Sequence, residues 1–199
     1  MSQASTRKAS LERKTRETEI RLDLDLDGSG DYDVDTGIPF FDHMLESLAK
    51  HALFDLHLRA KGDLEVDLHH TVEDVGIALG QVLREAIGPA EGIRRYGSQL
   101  VPMADAKVEV SVDISNRPYL VYQVELANDR IGSFDASLVE DFFYAFVQHG
   151  GLDLHVELRY GKGPHHALEA IFKGTARALR TALERDPRTK GLPTVKGAL

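Results

Sequence analysis

Cysteine is absent from the 199 residues. Disulfides, iron–sulfur clusters, thiol nucleophiles and cysteine-type zinc sites are therefore excluded. The absence fits the cytoplasm, which is the expected compartment. Long apolar runs are also missing: none approaches the ~20 residues a membrane span needs. The start, MSQASTRKASLERK, is basic but has no apolar stretch behind it, so no secretory signal is expected. Positive charge is in deficit, with 24 Lys and Arg against 32 Asp and Glu and a net charge of −8. That argues against a nucleic-acid partner, because no wide face would neutralise a phosphate backbone. A few local arginines could still hold one small anionic substrate.

What is present is an ordinary soluble composition, 42% apolar and 28% charged, which rules out collagen, coiled coil and a disordered tail. Periodicity supplies the elements. Ile20, Leu22, Leu24 and Leu26 alternate with charged residues and lead into the turn signal Asp27-Gly28. From Phe40 a helical stripe takes over (Phe41, Met44, Leu45, Leu48), with Pro39 near its first turn. Phe54, Leu56 and Leu58 alternate as a strand, and so do Leu64, Val66 and Leu68. Val72 to Ala86 form a second helix, stopped by Gly88-Pro89. The second half repeats this order. Strand patterns run from Val108 to Ile114 and from Leu120 to Leu126, and a helix from Leu138 to Val147 is stopped by Gly150-Gly151. Another strand pattern spans Leu152 to Leu158, and a last helix runs from Leu168 to Leu179.

The repeat is also visible in the letters. DHMLESLAKHALFDLHL, from Asp42, aligns with EDFFYAFVQHGGLDLHV, from Glu140, an offset of 98 (140 minus 42). HHTVED, from His69, aligns with HHALEA, from His165, an offset of 96 (165 minus 69). The reading is an internal duplication. Residues 1–97 and 98–199 would be two α+β halves, each a small sheet with two helices on one face. The halves would pack helix layer to helix layer around one core.

Nine histidines stand out, four of them in the adjacent pairs His69-His70 and His165-His166. Each pair opens a helix and is followed by a glutamate, Glu73 or Glu169, at i,i+3 and i,i+4. Those spacings share a helix face. Imidazole with a hard carboxylate suits manganese, iron or zinc. Adjacent histidines diverge by about 100° around a helix, so each pair serves two metals better than one. The glutamate lies outside the pair, unlike the zinc-protease HExxH, so peptide hydrolysis is not the natural reading.

Arg95 in GIRRYG and Arg117 in SNRPY sit in turn-like segments, and Lys196 in the terminal PTVKG. Arg177, Arg180, Arg185 and Arg188 read as the exposed side and end of the last helix. The acidic run Asp23 to Asp35 reads as a solvated strand face, and His57 and His155 as structural residues on polar strand faces.

The segments RKTRET, PFFDHML, DLHHTVEDVGIALG, GIRRYG, VDISNRPY and GPHHALEAIFKGTARAL, in this order, resemble the imidazoleglycerol-phosphate dehydratase family over nearly the whole chain. The resemblance implies a manganese-dependent hydro-lyase of histidine biosynthesis with two Mn2+ per subunit. It would remove water from D-erythro-imidazole-glycerol phosphate to give imidazole-acetol phosphate. It also implies a homo-oligomer, a 24-subunit shell in which trimers come together with active sites at the interfaces. One metal would take His43, His69, Glu73 and His165. The other would take His70, His166, Glu169 and a residue of the helix that begins near Leu138. Glu17, His51, Arg95, Arg117, Lys173 and Lys196 would contact substrate, the last four at its phosphate. The imidazole is expected between the two metals, with water lost through a diazafulvene-like intermediate. Glu17 or Glu169 is then a candidate for proton transfer.

Asp141 stands where the family carries a ligand histidine, and the repeat sets it opposite His43, so it is expected to be a metal ligand; aspartate is a hard donor that suits manganese. Two other readings use the same residues. One is a metal-dependent hydrolase with a metal-activated water. The other is a non-catalytic assembly in which metals staple subunits together.

Overall fold

The computed structural model describes residues 6–197. The first half contains β1 (Lys8–Lys14), β2 (Thr18–Asp25), β3 (Tyr32–Asp35), α1 (Pro39–Ala52), β4 (Asp55–Gly62) and α2 (His69–Ile87). The second contains β5 (Tyr96–Met103), β6 (Ala106–Asp113), β7 (Tyr119–Gln123), a two-stranded ribbon β8 (Arg130–Ile131) and β9 (Phe134–Asp135), α3 (Leu138–Gly150), β10 (Asp153–Tyr160) and α4 (Pro164–Leu183). The sheets have the same topology, β1-β2-β4-β3 and β5-β6-β10-β7. In each, the last-placed strand runs parallel to its neighbour, β3 to β4 and β7 to β10. The crossover between those two strands is a helix, α1 or α3, as a parallel pair requires.

Alternation puts one face of each inner strand inside. Ile20, Leu22 and Leu24 of β2, Leu56 and Leu58 of β4, and Val108, Val110 and Val112 of β6 are buried. Helix α2 covers β1 and β2, while α4 covers β5 and β6; between the sheets α1 packs on α4 and α2 on α3. The helix layers of the two halves therefore face each other, as the duplication predicts. Phe142 joins them, stacking on Phe146 and Phe172 at 5.9 and 5.5 Å and meeting Phe41 edge-on at 5.3 Å. Gly76 and Gly80 bring α2 close to α3. A Cβ there would lie 2.7 Å from the Phe142 carbonyl oxygen and 2.6 Å from that of Phe146.

Two expected strands differ. Leu64, Val66 and Leu68 lie in an irregular turn, where Val66 N donates to Asp63 O at 2.8 Å. Their alternation has no neighbouring strand to pair with, and Val66 is exposed. The Leu120 to Leu126 pattern ends as strand at Gln123, the partner of Glu157, just before β10 slips its register between Leu158 and Tyr160. Strands β1 and β5 alternate in burial but not in residue type: covered positions carry Arg13, Gly97 and Gln99, while Tyr96 and Leu100 face water.

Candidate metal centre and anion cavity

All four helices start with chemistry. His43 lies in the first turns of α1, Asp141 in those of α3, His69-His70 open α2, and His165-His166 follow Pro164 in α4. Helix N-termini carry partial positive charge, which favours the carboxylates placed there.

The packing of α1 on α4 gathers His43, His165 and Glu169. One ligand atom from each lies within 4.8 Å of the others, and this is the one such group of three among the described residues. Glu169 Oε1 is 3.9 Å from His43 Nε2, and Oε2 is 3.5 Å from His165 Nε2. Glu169 is buried, while both histidines are exposed on one side. Lys173, one turn further along α4, forms an ion pair with Glu169 Oε1 at 2.6 Å. Burial pushes the Glu169 carboxyl up, but Lys173, His43 and His165 together hold it below the ordinary glutamate value.

The packing of α2 on α3 makes a looser counterpart. His69 Nε2 is 3.7 Å from Glu73 Oε2, and His69 Nδ1 is 3.3 Å from Asp141 Oδ2. By the repeat, Glu73 matches Glu169 and Asp141 matches His43. The match to Lys173 is Ile77 (173 minus 96), so this cluster has no lysine of its own.

Within one chain the eight expected ligands thus divide by helix pair. His43 and His165 stand with Glu169, not with His69 and Glu73. The second histidine of each pair looks elsewhere: the two rings of a pair are tilted 70° and 74° from each other. His70 Nδ1 hydrogen-bonds the Asp63 carboxylate at 3.1 and 3.2 Å, and its Nε2 is 4.0 Å from Glu17. His166 Nδ1 hydrogen-bonds Asp105 Oδ1 at 2.6 Å. Asp63 raises the His70 pKa, and His166 lowers that of Asp105. Asp63 and Asp105 were not legible as site residues. They sit in turns 7 and 61 positions from their histidines, and no helical or strand spacing links them.

The cations form two groups. Arg95, Arg117 and Lys196 line one cavity of 660 Å³, with Ser115 and Thr194. Arg95 is buried and largely committed: Nε and NH2 donate to both oxygens of Asp113 at 2.6 and 3.0 Å, and NH1 donates to Pro193 O at 2.9 Å. Arg117 and Lys196 are exposed. Lys173 stands with Glu169 in the first half of α4 and not among the residues lining this cavity, which lies past the helix's C-terminal end. His51 shares that neighbourhood. Burial, then Lys173 and Arg177, lower its pKa. Arg177 and Arg180 are exposed on α4, as expected. No helix among the described residues is long and apolar enough to cross a membrane.

A duplicated α+β chain with nitrogen–oxygen ligand clusters at its helix starts and a cation-lined cavity past the far end of α4 defines a candidate metal-assisted enzyme for a small anion. Residues 36–179 match the imidazoleglycerol-phosphate dehydratase family, and the chain belongs to it. It is 57% identical over 194 residues to the imidazoleglycerol-phosphate dehydratase of Dinoroseobacter shibae, covering 97% of this chain and 100% of that one. It is 53% identical over 187 residues to that of Symbiobacterium thermophilum, covering 94% and 90%. Among solved structures, the enzyme of Staphylococcus aureus superposes with a TM-score of 0.82 at 36% identity, over 90% of this chain and 99% of that one. The Pyrococcus furiosus enzyme, in complex with (S)-C348, gives 0.82 at 35% identity over 95% and 100%. The activity follows: a hydro-lyase that removes water from imidazole-glycerol phosphate in histidine biosynthesis.

Proposed function

We propose that the dehydration runs in the cytoplasm at two manganese centres per subunit, each completed by neighbouring subunits of a homo-oligomer built from trimers into a 24-subunit shell. The observation that carries the reading is the His43–His165–Glu169 group, three ligand atoms within 4.8 Å at the meeting of α1 and α4. Two imidazoles and one carboxylate are a donor set that fits manganese. His69 with Glu73 is the second half-site. His70 and His166, held at Nδ1 by Asp63 and Asp105, would offer Nε2 across a subunit contact. Manganese bound there would supply Lewis acidity and a template.

The chain's own residues do the rest. Arg117 and Lys196 bind the substrate phosphate, over a floor that Arg95 holds in place. Lys173 and His51 face substrate beside Glu169, and the phosphate cavity that serves the same substrate comes from a neighbouring subunit. Glu169 has both oxygens engaged by Lys173, His43 and His165, so it serves better as ligand than as base. Glu17, exposed and near His70 Nε2, is the carboxylate able to move a proton at the substrate carbon.

Manganese-loaded protein incubated with imidazole-glycerol phosphate is expected to produce the enol-derived ketone absorbance; no turnover with metal verified would overturn the reading. Chelation is expected to shift the particle to smaller species in light scattering. An unchanged size after measured metal loss would exclude metals shared between subunits.

A further inference from the structure

The β1–β2 turn and the β5–β6 turn are equivalent by the repeat, and they are fastened differently. Asp25 pairs with Asp55 as Asp113 pairs with Asp153, which sets β2 on β6 at an offset of 88 (113 minus 25). Lys14 faces Glu19 as Pro102 faces Lys107, at the same offset, so the two turns have one length. Glu17 therefore matches Asp105. Asp105 fastens its turn with its own carboxylate, on His166 Nδ1 at 2.6 Å. The Glu17 carboxylate is exposed and stands 4.0 Å from His70 Nε2, while Asp63 takes the Nδ1 side of that ring.

Other groups hold the Glu17 turn. Thr15 Oγ1 accepts from Glu17 N and Thr18 N at 3.1 and 3.0 Å, and Glu17 O accepts from Asp63 N at 3.1 Å. Thr18 Oγ1 donates to Asp74 Oδ2, and the same oxygen forms an ion pair with Arg13 NH1 at 2.6 Å. Thr18 and Asp74 are buried and Arg13 is half-buried. Asp74 follows Glu73 on α2, one turn after His70. The network thus ties the turn that carries Glu17 to the helix that carries His70.

The other half does without it. Arg13 and Thr18 match Val101 and Ala106 at the strand offset, and Asp74 matches Ala170 at the helix offset of 96 (165 minus 69). All three are apolar, yet the second sheet has the same strand order. The fold at this place needs no charge. Buried ion pairs are often no more stabilising than apolar residues of similar volume, so this one calls for a reason beyond stability. The turns supply it. Asp105 can spend its carboxylate on fastening, whereas a carboxylate that moves a proton has to stay free.

We infer that Arg13, Thr18 and Asp74 are positioning residues that fasten the β1–β2 turn to α2 and leave the Glu17 carboxylate free beside His70 Nε2. This rests on the reading of Glu17 as the proton-transfer group.

The test gives the full-length, manganese-loaded protein the apolar set of its second half: Arg13→Val, Thr18→Ala and Asp74→Ala together. The triple variant is expected to fold, to keep its manganese content and KM, and to lose about 10–100-fold in kcat; a misplacement of about 1 Å suffices for the upper figure. In a Glu17→Gln background the same three changes should cost almost nothing more, because they act through Glu17. Thr18→Val, which removes only the hydroxyl, should also lower kcat, and Thr18→Ser should keep it. The inference is overturned if the triple variant melts lower but turns over normally, if manganese is lost with the rate, or if the loss is as large in the Glu17→Gln background. Should the triple variant not fold, equal kcat for Thr18→Val and Thr18→Ser overturns it in the same way. Full turnover by Glu17→Gln alone would instead overturn the reading of Glu17, and the inference with it.

Discussion

Arg95→Ala is expected to lower stability by about 3–5 kcal/mol, the usual effect of breaking a buried ion pair from one side. Both partners are largely out of water, with side-chain exposures of 10% for Arg95 and 15% for Asp113. The substitution strands the Asp113 carboxylate and frees the tail held at Pro193 O. Much of the 660 Å³ cavity would lose its floor. Arg117→Ala should behave differently. Its side chain is exposed and forms no ion pair among the described residues. Losing one charge-assisted contact of roughly 1.5–3 kcal/mol raises the Michaelis constant about tenfold or more, with the melting point nearly unchanged. Thermal melts and initial rates on the two variants separate the roles. Equal melting points would mean that the Arg95–Asp113 pair contributes nothing net to the fold. On sequence alone both arginines were expected to act only on substrate affinity; the ion pair with Asp113 changes that for Arg95.

Glu169→Gln should remove the His43–His165 centre while leaving the fold intact. The amide preserves shape but not charge, and the carboxylate is the only anion in that group of three. Losing an orienting partner already weakens metal affinity about 10–100-fold. Losing the charged ligand is expected to exceed the upper end and to cut turnover at least as much. Lys173, left without its ion pair, adds a positive charge beside the site and works in the same direction. Elemental analysis after dialysis and single-turnover rates check this. Full metal content with a large rate loss would move Glu169 from ligand to proton-transfer group. Retained metal and retained rate would remove it from the centre altogether.

The family resemblance and most of the fold were readable without coordinates, because they rest on short-range regularities. Strands β2, β4, β6 and β10 alternate because one face is buried against helices. The four helices keep apolar stripes for the same reason. His69 with Glu73, and His165 with Glu169, share a face simply because a helix turns every 3.6 residues. Strands β1 and β5 were not legible because their covered positions include Arg13, Gly97 and Gln99 and their exposed ones Tyr96 and Leu100, which hides the alternation their burial shows. The Leu64 to Leu68 alternation misled because period two needs a partner strand to become structure.

Which groups meet across the chain was decided only by the tertiary structure. His43 joins His165 and Glu169 because α1 packs on α4, and Asp141 meets the Nδ1 side of His69 because α3 packs on α2 through Gly76 and Gly80. Asp63 and Asp105 reach their histidines from turns, and Asp113 claims Arg95 from the adjacent strand. By itself the sequence determined the parts list of the site and the helix faces that carry it, because those follow from composition and local geometry. The partner of each ring nitrogen and each guanidinium followed from the packing of distant helices and turns, where side-chain direction is set by a core no local spacing encodes.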